Sequence, residues 1–157
     1  MGFVILFAAA WLSVFAFYSM KKSLTLLENT FVFLIMLTIG IHLNWVVAEE
    51  LKYVVATKDG LLYAGLMSYR LVTMPMVFVL MANGVGRSRT WARAYLTIGI
   101  AFAAMLGLWG VMTAYEVITE VKWNLFYEAL YIAALQGVCL LLLKLYRRRL
   151  GREASAA

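Results

Sequence analysis

Hydrophobic positions fall into five long runs separated by short polar segments. Each run reaches about 18 to 20 residues, the length an α-helix needs to cross a hydrocarbon core of about 30 Å. The pattern predicts an all-α fold, an integral membrane bundle of five transmembrane helices forming one domain over the whole chain. The spans are expected at about 2–20, 26–48, 61–83, 94–115 and 124–146, followed by a basic tail over about 147–157.

Local signals mark the ends of these runs. Lys21 and Lys22 follow the first run, whereas a signal peptide carries its positive charge ahead of the apolar segment, so the first run is expected to stay as a helix. Thr25-Leu26-Leu27-Glu28 has the form of a capping box, in which the two polar side chains satisfy free amides at a helix start. The turn Lys58-Asp59-Gly60 opens the third span, and Gly84 and Gly86 are expected to close it. Pro75 lies inside that span and is expected to kink it one turn earlier, because proline offers no N–H and crowds the carbonyl four residues back.

Charge supplies a direction. Lys21 and Lys22, then Arg87, Arg89 and Arg93, then Lys144, Arg147, Arg148, Arg149 and Arg152 occupy alternate polar segments. The intervening segments hold Glu49, Glu50, Lys52, Lys58 and Asp59, and then Glu116, Glu120 and Lys122. Short basic loops are retained in the cytoplasm, so the N-terminus is expected outside and the C-terminus inside. Trp91 and Trp123 fall at the interfaces this arrangement implies, where indole rings prefer to sit.

Composition narrows the class. The chain is 65% hydrophobic and 14% charged, far from the balance of a soluble domain. Its net charge of +6 collects beside apolar runs, so an anionic lipid surface is the expected partner, above all at Arg147, Arg148 and Arg149, and nucleic acid is not. Cys139 is the single cysteine, which leaves no intrachain disulfide and no thiolate metal set. Met67, Met74 and Met81 recur along one helix face, and without a cysteine or second histidine they read as adaptable apolar packing rather than a path for soft metal. Neither a His-Glu-x-x-His pair, a Gly-rich phosphate loop nor a Gly-x-Ser-x-Gly elbow occurs, so no metal or cofactor is expected.

Small residues suggest how the helices meet. Gly99, Ala103 and Gly107 on the fourth span, and Ala129, Ala133 and Gly137 on the fifth, stand at four-residue spacing. Close backbone approach at such residues drives helix association in lipid, which predicts a tight antiparallel hairpin there.

The candidate chemistry lies in polar residues within the runs: His42, Asn44, Arg70 and Glu128, with Glu49 and Glu116 at the outer ends. Counted at about 1.5 Å per residue, Glu128, His42 and Arg70 lie roughly 6, 10 and 14 Å below the outer helix ends, so all belong to one half of the membrane. Ionisable residues at such depth are a functional-site hypothesis by default. Arg70 suits an anionic headgroup or a partner's carboxylate, and Glu128 or His42 would carry any proton. A structural reading stands beside this one, in which Arg70 pairs with Glu128 to hold helix register and His42 is a hydrogen-bonded packing residue.

The stretch KKSLTLLENTFVFLIMLTIGIHLNWVVAEELK, followed by GLLYAGLMSYRLVTMPMV, resembles small multispan membrane proteins of unassigned function from Bacillus-like Gram-positive bacteria. The resemblance covers the second and third spans. It implies a bacterial cytoplasmic membrane and supplies no activity.

The reading that accounts for most of these features is a non-enzymatic accessory or binding subunit. It would use the outer-half polar residues and the small-residue faces to bind lipid, another membrane protein or a second copy of itself. Two alternatives stay open: a small proton-linked transporter acting as an oligomer, and an intramembrane enzyme using His42 and Glu128.

Overall fold

In the computed structural model, residues 1–156 are described, with side chains through Arg148; Arg149 and Arg152 of the expected basic tail therefore lie outside the residues whose side chains are described. The chain is mostly helical, 80%, with five helices long and apolar enough to cross a membrane. In chain order these are α1 (Gly2–Ser19), α2 (Leu26–Trp45, continuing as a wide π turn, Val46–Glu50), a third span, α5 (Trp91–Ala114) and α6 (Leu125–Ala156). The third span is α3 (Gly60–Ser68), a second π turn (Tyr69–Thr73) and α4 (Met74–Arg87). The expected basic tail continues α6 as far as Ala156.

Two of the expected helix starts are built as the residues suggest. Glu28 N–H donates to Thr25 Oγ1 at 3.2 Å and Thr25 N–H donates to Glu28 Oε2 at 2.8 Å, completing the capping box. Asp59 Oδ1 accepts from the amides of Leu61 and Leu62 and caps α3. The helix expected to end at Gly84 and Gly86 runs on to Arg87. Where a kink was expected before Pro75, the backbone widens: the Met74 amide bonds to the carbonyl of Tyr69, and the π turn absorbs the bond that proline cannot make.

The third span is the centre of the bundle. Half of its most apolar window is buried, against 17–28% for the other four helices, which surround it. Phe78, Met74 and Met81 of α4 pack with Leu6, Met36, Met105 and Ile132 from all four neighbours. The outer faces carry exposed Phe15, Leu34, Ile100 and Leu130, a surface suited to lipid rather than water.

The expected small-residue hairpin is corrected by this packing. Gly99, Ala103, Gly107, Ala133 and Gly137 face outward and Ala129 is only half-buried. A Cβ added at Gly99, Gly107 or Gly137 would meet nothing within 4 Å. The central span has close approaches instead. A Cβ at Gly65 would stand 3.2 Å from the Phe3 Cα of α1, and one at Gly84 would stand 2.5 Å from Thr97 Cγ2 of α5. α5 and α6 meet through larger groups, including a hydrogen bond from Gln136 Nε2 to the Ile98 carbonyl at 3.2 Å. In lipid a helix is apolar on every side, so small residues do not reveal which side is packed. Gly99→Leu and Gly107→Leu are therefore expected to change stability by less than about 0.5 kcal/mol, whereas Gly84→Ala costs about 1–2 kcal/mol because β-branched Thr97 has little rotamer freedom to yield. Unfolding in mixed detergent micelles measures both.

The two connections at one end form a feature that an all-α reading omits. β1 (Val54–Ala56) pairs antiparallel with β2 (Ile118–Glu120), with Val55 opposite Thr119. β-branched residues favour the pairing, and it satisfies backbone groups that would otherwise be open at the bundle mouth. Each strand follows a left-handed non-glycine residue that ends a helix, Lys52 (φ 51°) or Glu116 (φ 54°). At Glu116 the turn is a Schellman motif, with Val117 N–H to Met112 O and Glu116 N–H to Thr113 O.

The opposite end is held by polar contacts. Asn83 bonds the first connection and Asn29, and Glu28 accepts a two-pronged bond from Arg147. These contacts bring the segments bearing Lys21, Lys22, Arg87, Arg89 and Arg147 to one end, while the sheet gathers those bearing Glu49, Glu50, Asp59, Glu116 and Glu120 at the other.

Candidate functional site

Beneath the two-stranded sheet a small cavity lies among α2, the third span, α5 and α6. Asn44 and Ala48 enter it from α2 and its π turn, Tyr69 and Arg70 from the π turn of the third span, and Glu128 and Tyr131 from the first turns of α6. Val54 and Ile118 of the strands close it from above, and Trp109 and Trp123 complete its walls. Both π turns of the chain thus border one space, the position where such wide turns often re-aim a side chain. The space open to water centres is about 20 Å³, room for a single water molecule.

The polar groups are held differently. Glu128 is 3% exposed, and its Oε2 accepts from Trp123 Nε1 at 2.9 Å. Asn44 Nδ2 donates to the Gly40 carbonyl at 2.8 Å and reaches Tyr131 Oη at 3.4 Å. Behind them, Trp109 Nε1 donates to Glu120 Oε1 at 2.9 Å, tying the cavity wall to β2. Arg70 is half-buried and lines the same cavity as Glu128, yet the one salt bridge among the described residues is Glu28–Arg147. The expected register pair Arg70–Glu128 is therefore not formed.

Arg70 also borders a second space. A groove of about 190 Å³ runs between α2 and the third span, walled by exposed Ile41, Trp45 and Leu71 and by Glu49. Asn44, Ala48 and Arg70 line both spaces, so these three residues partition the lateral groove from the enclosed cavity.

Of the residues singled out from sequence, Asn44, Arg70 and Glu128 come together, with Glu49 at the lateral groove. His42 does not join them. It is exposed, and its Nδ1 lies 2.8 Å from the Thr38 carbonyl of its own helix. One helical turn below Val46 places it on the outer side of α2, away from the partners a proton relay would need. Glu116 is exposed at the end of α5, outside the cavity lining. Trp123 is half-buried and bonded to Glu128, beyond the interfacial role expected of it. Arg147, expected to meet lipid headgroups, spends its guanidinium on Glu28, while Arg148 remains exposed.

Sequence reasoning missed Trp109 and Glu120 as parts of this site. Their signal is faint, since aromatic residues are common at membrane interfaces and only their convergence marks a pocket. The Thr73 hydroxyl was also missed; it is 1% exposed and is the one buried side-chain polar atom without a partner among the described residues.

Five helices of this length and hydropathy fit the class of multi-pass membrane proteins. No family model, curated protein or solved structure matches the chain.

Proposed function

We propose that this chain is a non-enzymatic membrane subunit that binds an anionic group, presented from the side by a lipid or a neighbouring membrane protein, at Arg70. The observation that carries the reading is the place of Arg70: half-buried, without an acidic partner among the described residues, and shared between the lateral groove and the cavity. A guanidinium kept there can form two parallel bonds to a carboxylate or phosphate. Asn44 and Ala48 flank it, and Glu128 lines the one-water cavity behind it. The apolar walls of the groove suit a chain or helix that stays in the bilayer.

The same reading places all five helices across a bacterial cytoplasmic membrane, with the sheet end outside and the basic end in the cytoplasm. What supports this orientation is the excess of Lys and Arg at one end of the bundle, whereas Lys52, Lys58 and Lys122 at the other are outnumbered by carboxylates.

The test is recovery of bound species by native mass spectrometry after purification in mild detergent. Wild type is expected to hold a lipid or protein at stoichiometric level, and Arg70→Gln to hold it about tenfold to a hundredfold less, while helicity and dispersity are unchanged. Glu128→Gln keeps the indole bond and removes a buried carboxylate, so it is expected to leave stability unchanged or raise it by about 1–2 kcal/mol. Equal recovery from wild type and Arg70→Gln overturns the binding role. A loss of about 3–5 kcal/mol in both variants returns the pair to a structural role.

A further inference from the structure

A second groove lies at the other end of the bundle, between the end of α4, the start of α5 and α6. Its volume is about 540 Å³. Val85, Leu140 and Leu143 form an apolar wall, and Lys144 and Arg148 stand over it on successive turns of α6. Trp91, 82% exposed, forms the opposite rim.

Three observations give this groove a sign. Among the described residues, no acidic side chain lines it. Arg147 also borders it, and the carboxylate it reaches, Glu28, is already neutralised by its guanidinium. Trp91 is the first residue of α5, whose first turn carries neither a side-chain cap nor an acidic residue, so the positive end of the helix dipole meets the rim. Two cations above an apolar trough match the division of a phospholipid into charged head and acyl chain. Basic pockets between membrane helices recognise such head groups. An indole at the rim sits at headgroup depth.

We propose that this groove is a binding site for a diacyl anionic phospholipid, with its phosphate on Lys144 and Arg148 and one acyl chain along Val85, Leu140 and Leu143. The site differs from a diffuse basic surface in having a wall for the chain. It is independent of the Arg70 reading, because it shares no residue with that cavity and stands at the opposite end.

The test uses the full chain in nanodiscs of equal parts dioleoylphosphatidylglycerol and dioleoylphosphatidylcholine, with retained lipid counted by native mass spectrometry. Wild type is expected to retain phosphatidylglycerol over phosphatidylcholine. The double variant Lys144→Gln/Arg148→Gln is expected to lose that preference by at least about tenfold, while Lys21→Gln/Lys22→Gln, which removes the same charge from the same end, keeps it within about twofold. All four side chains are exposed, so these replacements leave the core intact. Val85→Trp fills the trough without touching a charge and is expected to lose the preference as well. Equal loss in the two double variants means diffuse attraction and overturns the site. Full displacement of the lipid by millimolar inorganic phosphate also overturns it, since the groove would then read a free anion rather than a lipid.

Discussion

Asn83→Leu is expected to lower the stability of the bundle by about 3–5 kcal/mol, measured as the shift of the unfolding transition in mixed detergent micelles. Asn83 is 0% exposed on the central helix and all its polar atoms are used. Its Oδ1 accepts from the amides of Ser23 at 3.0 Å and Leu24 at 3.1 Å, and its Nδ2 donates to Asn29 Oδ1 at 2.6 Å and to the Val79 carbonyl at 2.9 Å. Leucine has the same branching as asparagine but is bulkier, so the loss combines overpacking with the partners left behind. The Leu24 amide and the Asn29 carboxamide oxygen would remain buried without bonds, each costing about 1–3 kcal/mol, and the part-buried Ser23 amide would lose its bond as well. Asn83→Asp keeps the acceptor but loses the donor and sets a buried carboxylate against the Asn29 and Val79 oxygens, so it is expected to cost at least as much. A leucine variant within about 1 kcal/mol of wild type would show that the first connection is held by other contacts.

Glu28→Ala is expected to cost about 2–3 kcal/mol in the same measurement. One carboxylate serves two elements: it closes the capping box of α2 and takes two bonds from Arg147 near the end of the last span, at 2.5 and 3.2 Å. The cap contributes about 1 kcal/mol. The ion pair adds roughly another 1–2 kcal/mol, discounted because the Arg147 side chain is 45% exposed. Phe31 stacks on Tyr146 with centroids 4.4 Å apart, so the two helices stay in contact when the charge pair is broken. A double-mutant cycle with Arg147→Ala separates the parts. A coupling of about 1 kcal/mol or more is expected, and strict additivity would remove the ion pair from the account.

The five helices were legible because each apolar run is long enough to stand alone, and because Thr25, Glu28 and Asp59 carry local signals that need no partner. Arg70, Asn44 and Glu128 were legible as a group because polar residues are conspicuous in an apolar run. Which faces meet was not. A helix in lipid is apolar toward its neighbours and toward the acyl chains alike, so nothing in its period distinguishes Gly99, which touches nothing, from Gly65, which touches a backbone. His42 was misplaced for the same reason: its depth could be counted, but its rotation about α2 could not. The sheet was hidden because strands of three residues carry almost no periodic signal and pair across two intervening helices. The ring of amides around Asn83 was overlooked because Asn29 and Asn83 look like helix-end residues until the fold sets them together.

The central position of the third span has a consequence for how the molecule is made. Synthesis delivers α1 and α2 before the helix on which both pack, so their inward faces stay uncovered by protein until Gly65, Met74 and Asn83 arrive. The first connection likewise waits for the acceptor that satisfies its amides. The chamber around Arg70 is finished later still, since its roof strand, Trp123 and Glu128 come from the last third of the chain. A ribosome-bound intermediate that ends within α5 therefore holds a central helix with its arginine still uncovered, and the acquisition of the site coincides with the completion of the bundle.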